Sequence, residues 1–509
     1  MTRTQGWAAL AGVVAVAVTA VAGQLLAALF SPEASPISAV GTITIDVMPQ
    51  PLKEWAISVF GTADKIALVV AMGLVIAVLA ALAGVAEYRR RYTGAVIIAV
   101  FSLLGMAAAV SRPAVGPEAA IAPLLAGIIG ALLLRGLVNR LRRSTLAPEY
   151  EESAIQRRKF LGGTAAAAAV AVVGAAVSTS LRQVQNATTA FRAAVNLPRP
   201  VSGTKPIPDA ATLKLDGISE LVTDTAEFYR IDTAFTVPKV DPQTWRLKVT
   251  GMVDREVEID FTQLTAKPLI ERYITLACVS NPIGGELIGN AKWLGWPIRE
   301  LLAQAGPAAG ADMVLSTSAD GWTAGTPLEV LTDDRDAMLA VGMNDAPLPF
   351  EHGFPVRMVV PGLYGYVSAT KWVTELKVTR FADDVAYWTT RGWAARGPIK
   401  TSSRIDTPRN GANRPPGRLR LGGMAWSQHV GIRAVEVKVD DGGWQPAELA
   451  AAISADTWRQ WVADVVLESG EHVLTVRAID RNGEVQIGEF APPIPSGATG
   501  YHSIRVQIG

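Results

Sequence analysis

The sequence predicts a multi-domain chain: five transmembrane helices, then a mixed globular domain, then a small β-sandwich. Three observations predict it. Half of the 509 residues are hydrophobic and the mean hydropathy is +0.26, which is high for a soluble protein. That excess sits before Arg182, where Ala, Val, Leu, Ile and Gly dominate, whereas the composition after Pro198 is that of a globular protein. From about Arg418 onward, short alternating runs such as AVEVKVD (434–440) lead into turns such as DGG (441–443) and NG (482–483), the pattern of hairpins in a two-sheet sandwich.

Five apolar runs, at about residues 7–30, 63–86, 93–110, 119–138 and 160–181, reach or approach the roughly 20 residues that a helix needs to cross a bilayer core. Arginine clusters at 89–91 and at Arg135, Arg140, Arg142 and Arg143 mark short cytoplasmic segments, because Lys and Arg accumulate on that side. The expected N-terminus is therefore cytoplasmic, and everything after the fifth run is extracytoplasmic. QRRKFL (156–161) opens that run. Its arginines are either a plain positive-inside flank or a twin-arginine-like signal, here an uncleaved anchor for a domain that folds before export. All four histidines lie beyond residue 350, so a bis-histidine haem in the membrane is excluded and no haem is expected. With few charges inside the runs, an ion pathway has no support, and the membrane half reads as an anchor or assembly platform. A formal net charge of +1 gives no electrostatic case for a nucleic-acid partner.

Residues 183–215 read as a linker. Four prolines in NLPRPVSGTKPIP (196–208) and the absence of a hydrophobic period describe an extended spacer. The centre of the globular half is ERYITLACVSNPIGGELIGNAKWLGWPIREL (271–301), which holds Cys278, the single cysteine of the chain. A strand-like run delivers the thiol to a Gly/Asn/Pro turn, and KWLGWP then enters a short helix. A lone cysteine is either a small buried hydrophobe or a chemical group such as a nucleophile or metal ligand. As a thiolate it is a soft ligand suited to a redox-active metal. Asp320 in SADGW (318–322) is, by itself, a turn residue. EHGFPVRMVVPG (351–362) and YGYVSATKW (364–372) add a histidine, cationic donors at Arg357 and Lys371, and glycines that admit close backbone approach.

Cys278-Val-Ser-Asn281 followed by Trp293-Leu-Gly-Trp-Pro297, together with FYRID (228–232), VPKVDP (237–242) and the HGFPVR…PGLYG…TKW run, resembles the sulfite oxidase family of molybdopterin enzymes, in a membrane-anchored bacterial form. The resemblance covers roughly residues 220–509 and does not extend to residues 1–200. It implies an α+β sulfite-oxidase-type molybdopterin domain at 216–400 and an immunoglobulin-like domain at 415–509. That second domain is either of the dimerisation type, giving a homodimer, or a sandwich without a partner. The resemblance further implies a molybdenum-molybdopterin cofactor with Cys278 as metal ligand. Phe228, Tyr229, Arg230, Asp320, His352, Arg357, Ala369, Thr370 and Lys371 are the implied cofactor contacts, with Arg230 alternatively facing substrate. Two departures concern the sulfite pocket: Val279-Ser-Asn-Pro-Ile283 carries no arginine after the cysteine, and Val341 stands where a tyrosine is expected. The implied reaction is a two-electron oxygen-atom transfer on a small or sulfur-containing substrate, with a separate cytochrome or quinone pathway as electron partner. The alternatives are a reductase of S- or N-oxides, such as oxidised methionine in envelope proteins, and a non-catalytic receptor or scaffold on the same fold.

Overall fold

The computed structural model describes residues 3–30, 64–110, 117–146, 158–172, 192–234 and 236–509, with isolated positions at 40, 41, 44, 48, 49, 52 and 174. They form two compact parts, one helical (Met1–Ala187 with Thr233–Val237) and one β-rich (Thr188–Asp232 with Pro238–Gly509).

In the helical part, α1 (Arg3–Phe30), α2 (Asp64–Arg89), α3 (Thr93–Val110) and α4 (Ile121–Leu146) are long and apolar enough to cross a membrane. A fifth helix, α5, covers residues 158–172; the rest of the expected fifth span, to residue 181, lies outside the described residues except for position 174. Large aliphatic side chains such as Leu74, Val78, Leu82 and Leu132 point outward, while small residues meet at the crossings. A Cβ added to Gly12 would collide with the Ala80 carbonyl oxygen, and one on Gly84 with that of Ala8. This inverted pattern is the one that close helix packing in a hydrocarbon solvent favours. At one end the Glu87 carboxylate accepts hydrogen bonds from Tyr92 N (3.1 Å) and Ala95 N (3.2 Å), capping α3. Arg142 of α4 donates to the Glu87 and Tyr88 carbonyls that end α2, so both open helix termini are satisfied by side chains.

The β-rich part begins with two sheets. One runs in the order β2 (Val257–Asp260), β1 (Arg246–Gly251), β10 (Val373–Thr379), β5 (Met313–Ser318), β6 (Thr323–Pro327), with β1 and β10 parallel. Leu247 and Val249 alternate with solvent-facing Arg246 and Lys248 along β1, as the sequence pattern requires. The other sheet runs β3 (Ile270–Ala277), β4 (Ile288–Pro297), β7 (Met338–Met343), β8 (Ala346–Pro347), with β9 (Arg357–Val359) on β7. Three short helices follow strands of these sheets: α6 (Phe261–Thr265) after β2, started by a reciprocal Asp260–Gln263 capping box, α7 (Ile298–Ala305) after β4 and α8 (Leu328–Thr332) after β6. α7 buries Ile298, Leu301, Leu302 and Ala305 on one helical face, the i, i+3, i+4, i+7 stripe of an amphipathic helix.

Strands β11 (Ser402–Thr407), β12 (Ala412–Arg414), β13 (Gly417–Trp426), β14 (Ile432–Val439), β15 (Gln445–Pro446), β16 (Glu448–Leu449), β17 (Arg459–Leu467), β18 (Gly470–Asp480) and β19 (His502–Ile508) form two further sheets, β11-β13-β17-β16 and β12-β19-β18-β14-β15. Their inner faces share one core that includes Leu421, Trp461, Val465, Val435, Val476 and Ile504. The sandwich therefore starts before residue 415. β11 is buried at four successive positions, 403–406, with Arg404 and Asp406 paired at 2.7 Å, so it lacks the alternation that marks a half-exposed strand.

The proline-rich linker is not a free spacer over its described length. Val201 N donates to Leu269 O (2.8 Å) and Glu271 N to Ser202 O (2.9 Å), adding these residues to the outer side of β3. Arg192 donates to the Pro347 and Leu348 carbonyls. Proline at a strand edge costs no ladder bond where its nitrogen faces away, which is why the composition did not forbid this pairing.

Candidate active site

Cys278 follows the last residue of β3 and is buried. Its backbone N donates to Leu287 O (2.9 Å), its carbonyl accepts from Asn281 N (3.1 Å), and Asn281 Oδ1 accepts from Leu287 N (2.9 Å). The loop is thus closed at its base. Burial pushes the thiol pKa up, and hydrogen bonds from Ser280 and the nearby Lys371 charge work against that rise. Among the described residues no group of three or more His, Cys, Asp or Glu could hold a metal ion. A metal at this thiolate would have to bring its remaining ligands with it.

Around Cys278 the structure gathers most of the expected residues. Phe228 stacks on Tyr229 with ring centroids 5.2 Å apart and meets Trp293 (5.8 Å) and His352 (5.5 Å) edge to face. Burial, followed by a Cys278 charge, drives the Tyr229 phenol pKa upward, while Arg357 opposes the rise; the hydroxyl stays protonated. Arg357 on β9 is buried and lies over Trp293 at 5.1 Å. It donates to the carbonyls of His352 (3.2 Å), Met358 (3.3 Å) and Ala369 (3.4 Å). No carboxylate pairs with it among the described residues, and burial lowers its pKa to about 10. Lys371 Nζ donates to Asp232 (3.0 Å) and to Glu351 O (2.9 Å); burial first, then Arg357 and Arg230, against Asp232, bring its pKa down to about 8. Arg230 shares the same Asp232 carboxylate at 2.8 Å. Burial, with Arg357 and Lys371 adding to it, takes His352 down to about 3, so its ring is neutral, and its buried Nδ1 has no hydrogen-bond partner. Gly353 lies between the two cations: its φ is 108°, and a Cβ there would sit 2.9 Å from Arg357 Cβ and 3.2 Å from Lys371 Cα.

Two expected residues behave differently. Thr370 is buried, but its hydroxyl is engaged with Ser316 Oγ at 2.7 Å and its carbonyl accepts from Met358 N at 2.9 Å. Asp320 accepts from Trp322 N at 3.3 Å within its own hairpin turn, and no hydrogen bond or ion pair among the described residues joins it to the Cys278 cluster. Sequence reasoning missed two members. Asp232, in the quoted FYRID run, is the carboxylate that two cations share. Tyr364, in PGLYG, is held at a pKa of about 12 by burial first, with a Cys278 charge adding to it.

Among the described residues the buried Arg357 and Lys371, with the more exposed Arg230 at their side, thus gather around the Asp232 carboxylate, beside a His352 Nδ1 that has no hydrogen-bond partner. Buried cations persist when paired, and this excess of buried positive charge fits a bound anionic group such as a pterin phosphate. The thiol beside it fits the single protein ligand of a metal whose other ligands are the cofactor's.

Comparison with known proteins bears on the same residues. A family model described as "Oxidoreductase molybdopterin binding domain" matches residues 234–388. The chain is 32% identical over 162 residues to an oxidoreductase, YuiH, of Bacillus subtilis, covering 78% of that protein and 32% of this one. It is 29% identical to sulfite oxidase of Gallus gallus, covering 50% of this chain and 66% of that one. The human mitochondrial sulfite oxidase is 30% identical, with 50% of this chain and 56% of that one covered. The chain belongs to the sulfite oxidase family of molybdopterin-dependent oxidoreductases. It spans less than two thirds of the length of the sulfite oxidases it matches. The sulfane dehydrogenase SoxCD of Paracoccus pantotrophus superposes with a TM-score of 0.50 at 24% identity, over 57% of this chain and 82% of that one, a likeness of fold. The family's molybdopterin module thus accounts for β1–β10, and the sequence-based assignment to this family and cofactor holds.

Proposed function

We propose that this protein is a membrane-anchored, extracytoplasmic oxidoreductase that carries out two-electron oxygen-atom transfer on a small, sulfur-containing substrate. The observation that carries the reading is the buried Arg357 guanidinium, which pairs with no carboxylate among the described residues, beside the Lys371–Asp232 pair, a neutral His352 and Cys278; an anion brought to this place would complete the pairing of a charge that is costly to bury alone. When bound, the molybdenum-molybdopterin cofactor supplies the oxygen-atom and electron chemistry. The chain's part is to hold and tune it. Cys278 supplies the thiolate ligand; Arg357, Lys371 and Arg230 offer donors to the anionic part; His352 Nδ1 accepts or donates one hydrogen bond without adding charge. Phe228 and Tyr229 wall the site against water, and the Ala369–Thr370 backbone lines it. Asp320 would reach the cofactor only by leaving its turn.

Arginine clusters between α2 and α3 and along α4 support a cytoplasmic placement of those segments, with α5 as the last crossing and the β-rich part outside. The sandwich is read as immunoglobulin-like and as the surface of a homodimer. A separate cytochrome or quinone pathway would exchange the electrons. A second reading, a reductase of S- or N-oxides such as oxidised methionine, is favoured by Val279 and Ser280, which follow the cysteine and bring no cation to an oxyanion. The test is the molybdenum and pterin content of the purified full-length protein beside Cys278→Ser. About one metal per chain, altered or lost in the variant, supports the proposal; a folded wild-type protein with neither metal nor pterin overturns it in favour of a scaffold. Sulfite and sulfoxide turnover then separates the two directions.

A further inference from the structure

β3 leads directly into the thiol, and it is an edge strand: β4 lies on one side, and among the described residues no strand of its own sheet lies on the other. The backbone groups on that open side require partners, because unpaired buried N–H and C=O groups are costly. At Thr275, three residues before Cys278, the partners come from the β-sandwich. Thr275 N donates to Asp456 O at 2.9 Å, and Thr275 O accepts from Gln428 Nε2 at 3.4 Å. The hydroxyl is used twice: it accepts from Trp458 N (2.9 Å) and donates to Asn290 Oδ1 on β4 (3.1 Å). Every polar atom of a fully buried threonine is thereby spent on joining the sandwich to the cysteine strand. A second grip lies beyond the thiol, where Arg404 of β11 donates to Gly285 O in the Cys278 loop at 2.7 Å.

We propose that Thr275 is a positioning residue for the Cys278 thiolate, and that the sandwich is a structural part of the metal site. Strand and loop are held on both sides of the ligand by the same domain, so the position of the sulfur is set by sandwich atoms as well as by its own sheet. A ligand held by packed, hydrogen-bonded supports keeps one geometry; a ligand on a loosened edge samples several. The inference rests on Cys278 being the metal ligand.

The experiment uses the full-length protein with its cofactor. Thr275→Val keeps the branched shape and removes the hydroxyl, and Thr275→Ser restores it. Electron paramagnetic resonance of the reduced molybdenum is recorded alongside amide hydrogen exchange across residues 273–278. The expected result is a broadened, heterogeneous resonance in Thr275→Val with exchange about 10–100-fold faster, from the loss of the two hydrogen bonds of the hydroxyl, and recovery of both in Thr275→Ser. A Thr275→Val resonance superimposable on the wild type, whatever its melting temperature, overturns the proposal. If Thr275→Val does not fold, Gln428→Met is read in the same way, since it removes the donor to Thr275 O and an Oε1 that has no partner. Should the wild-type protein hold no molybdenum, the functional reading fails separately, and the exchange rates of the metal-free chain decide: unchanged protection in Thr275→Val overturns the clamp.

Discussion

Arg357 offers the sharpest test of the site, because replacing it is expected to stabilise the metal-free protein while disabling it. Its pKa falls from 12.5 to about 10 on burial, which at 1.36 kcal/mol per unit corresponds to about 3 kcal/mol spent on keeping the charge inside. Arg357→Met removes that cost and keeps an apolar contact with Trp293 in place of the cation. It also removes three long hydrogen bonds to carbonyls, at 3.2–3.4 Å, worth about 1.5 kcal/mol together. The balance favours the variant by about 1–2 kcal/mol, or roughly 2–8 °C in melting temperature for a domain of this size. In the loaded protein the sign reverses, because a charge-assisted contact to an anionic cofactor is lost; cofactor retention should weaken about 10–100-fold. Differential scanning calorimetry of metal-free protein and molybdenum content after dialysis measure the two effects. An Arg357→Met protein that is less stable without metal and retains molybdenum like the wild type would refute the anion-site reasoning.

Three further outcomes follow from the same group. Lys371 titrates near 8 folded against 10.5 unfolded. The unfolded chain therefore binds more protons between about pH 8 and 10.5, and the metal-free protein should gain up to about 3 kcal/mol as pH rises through that window; denaturant titrations of Lys371→Met should lack the gain. His352 titrates at about 3 folded against 6.5 unfolded, so stability is complete above pH 6.5 and falls as pH drops toward 3, by up to about 5 kcal/mol. Acid unfolding of His352→Gln should be correspondingly shallower. Gly353→Ala, at φ 108° and with its Cβ 2.9 Å from Arg357 Cβ, should cost about 1–3 kcal/mol in urea unfolding and loosen cofactor binding; an unchanged midpoint would show that the Arg357–Lys371 gap is not tight.

What the sequence disclosed depended on whether the signal was local. The approach to Cys278, the alternation along β14, and the apolar lengths of α1–α4 are properties of contiguous residues, so they could be read directly. Three features were hidden for a common reason: they are pairings between distant segments. Asp232 becomes important only when Lys371, 139 positions away, arrives beside it. The proline-rich linker looked like a spacer because nothing in its composition announces that Val201 and Ser202 will meet β3. β11 has no period of two of its own, and only its pairing with β13 and the reach of Arg404 to Gly285 and Ser219 make it part of the sandwich. Asp320 shows the reverse case, in which a short Asp-Gly signal described its own turn correctly and carried no further.

The borrowed edge of β3 bears on how the protein can be cut. A chain trimmed to residues 216–400 would lose both Ser202 and Asp456, leaving Glu271 N and Thr275 N facing outward from a strand rich in Ile, Leu and Tyr. Such an edge invites pairing with an identical edge on another molecule. The trimmed domain should self-associate through β3 and occlude its own cysteine, so aggregation of an isolated catalytic domain would be a sign of missing neighbours and not of a weak core.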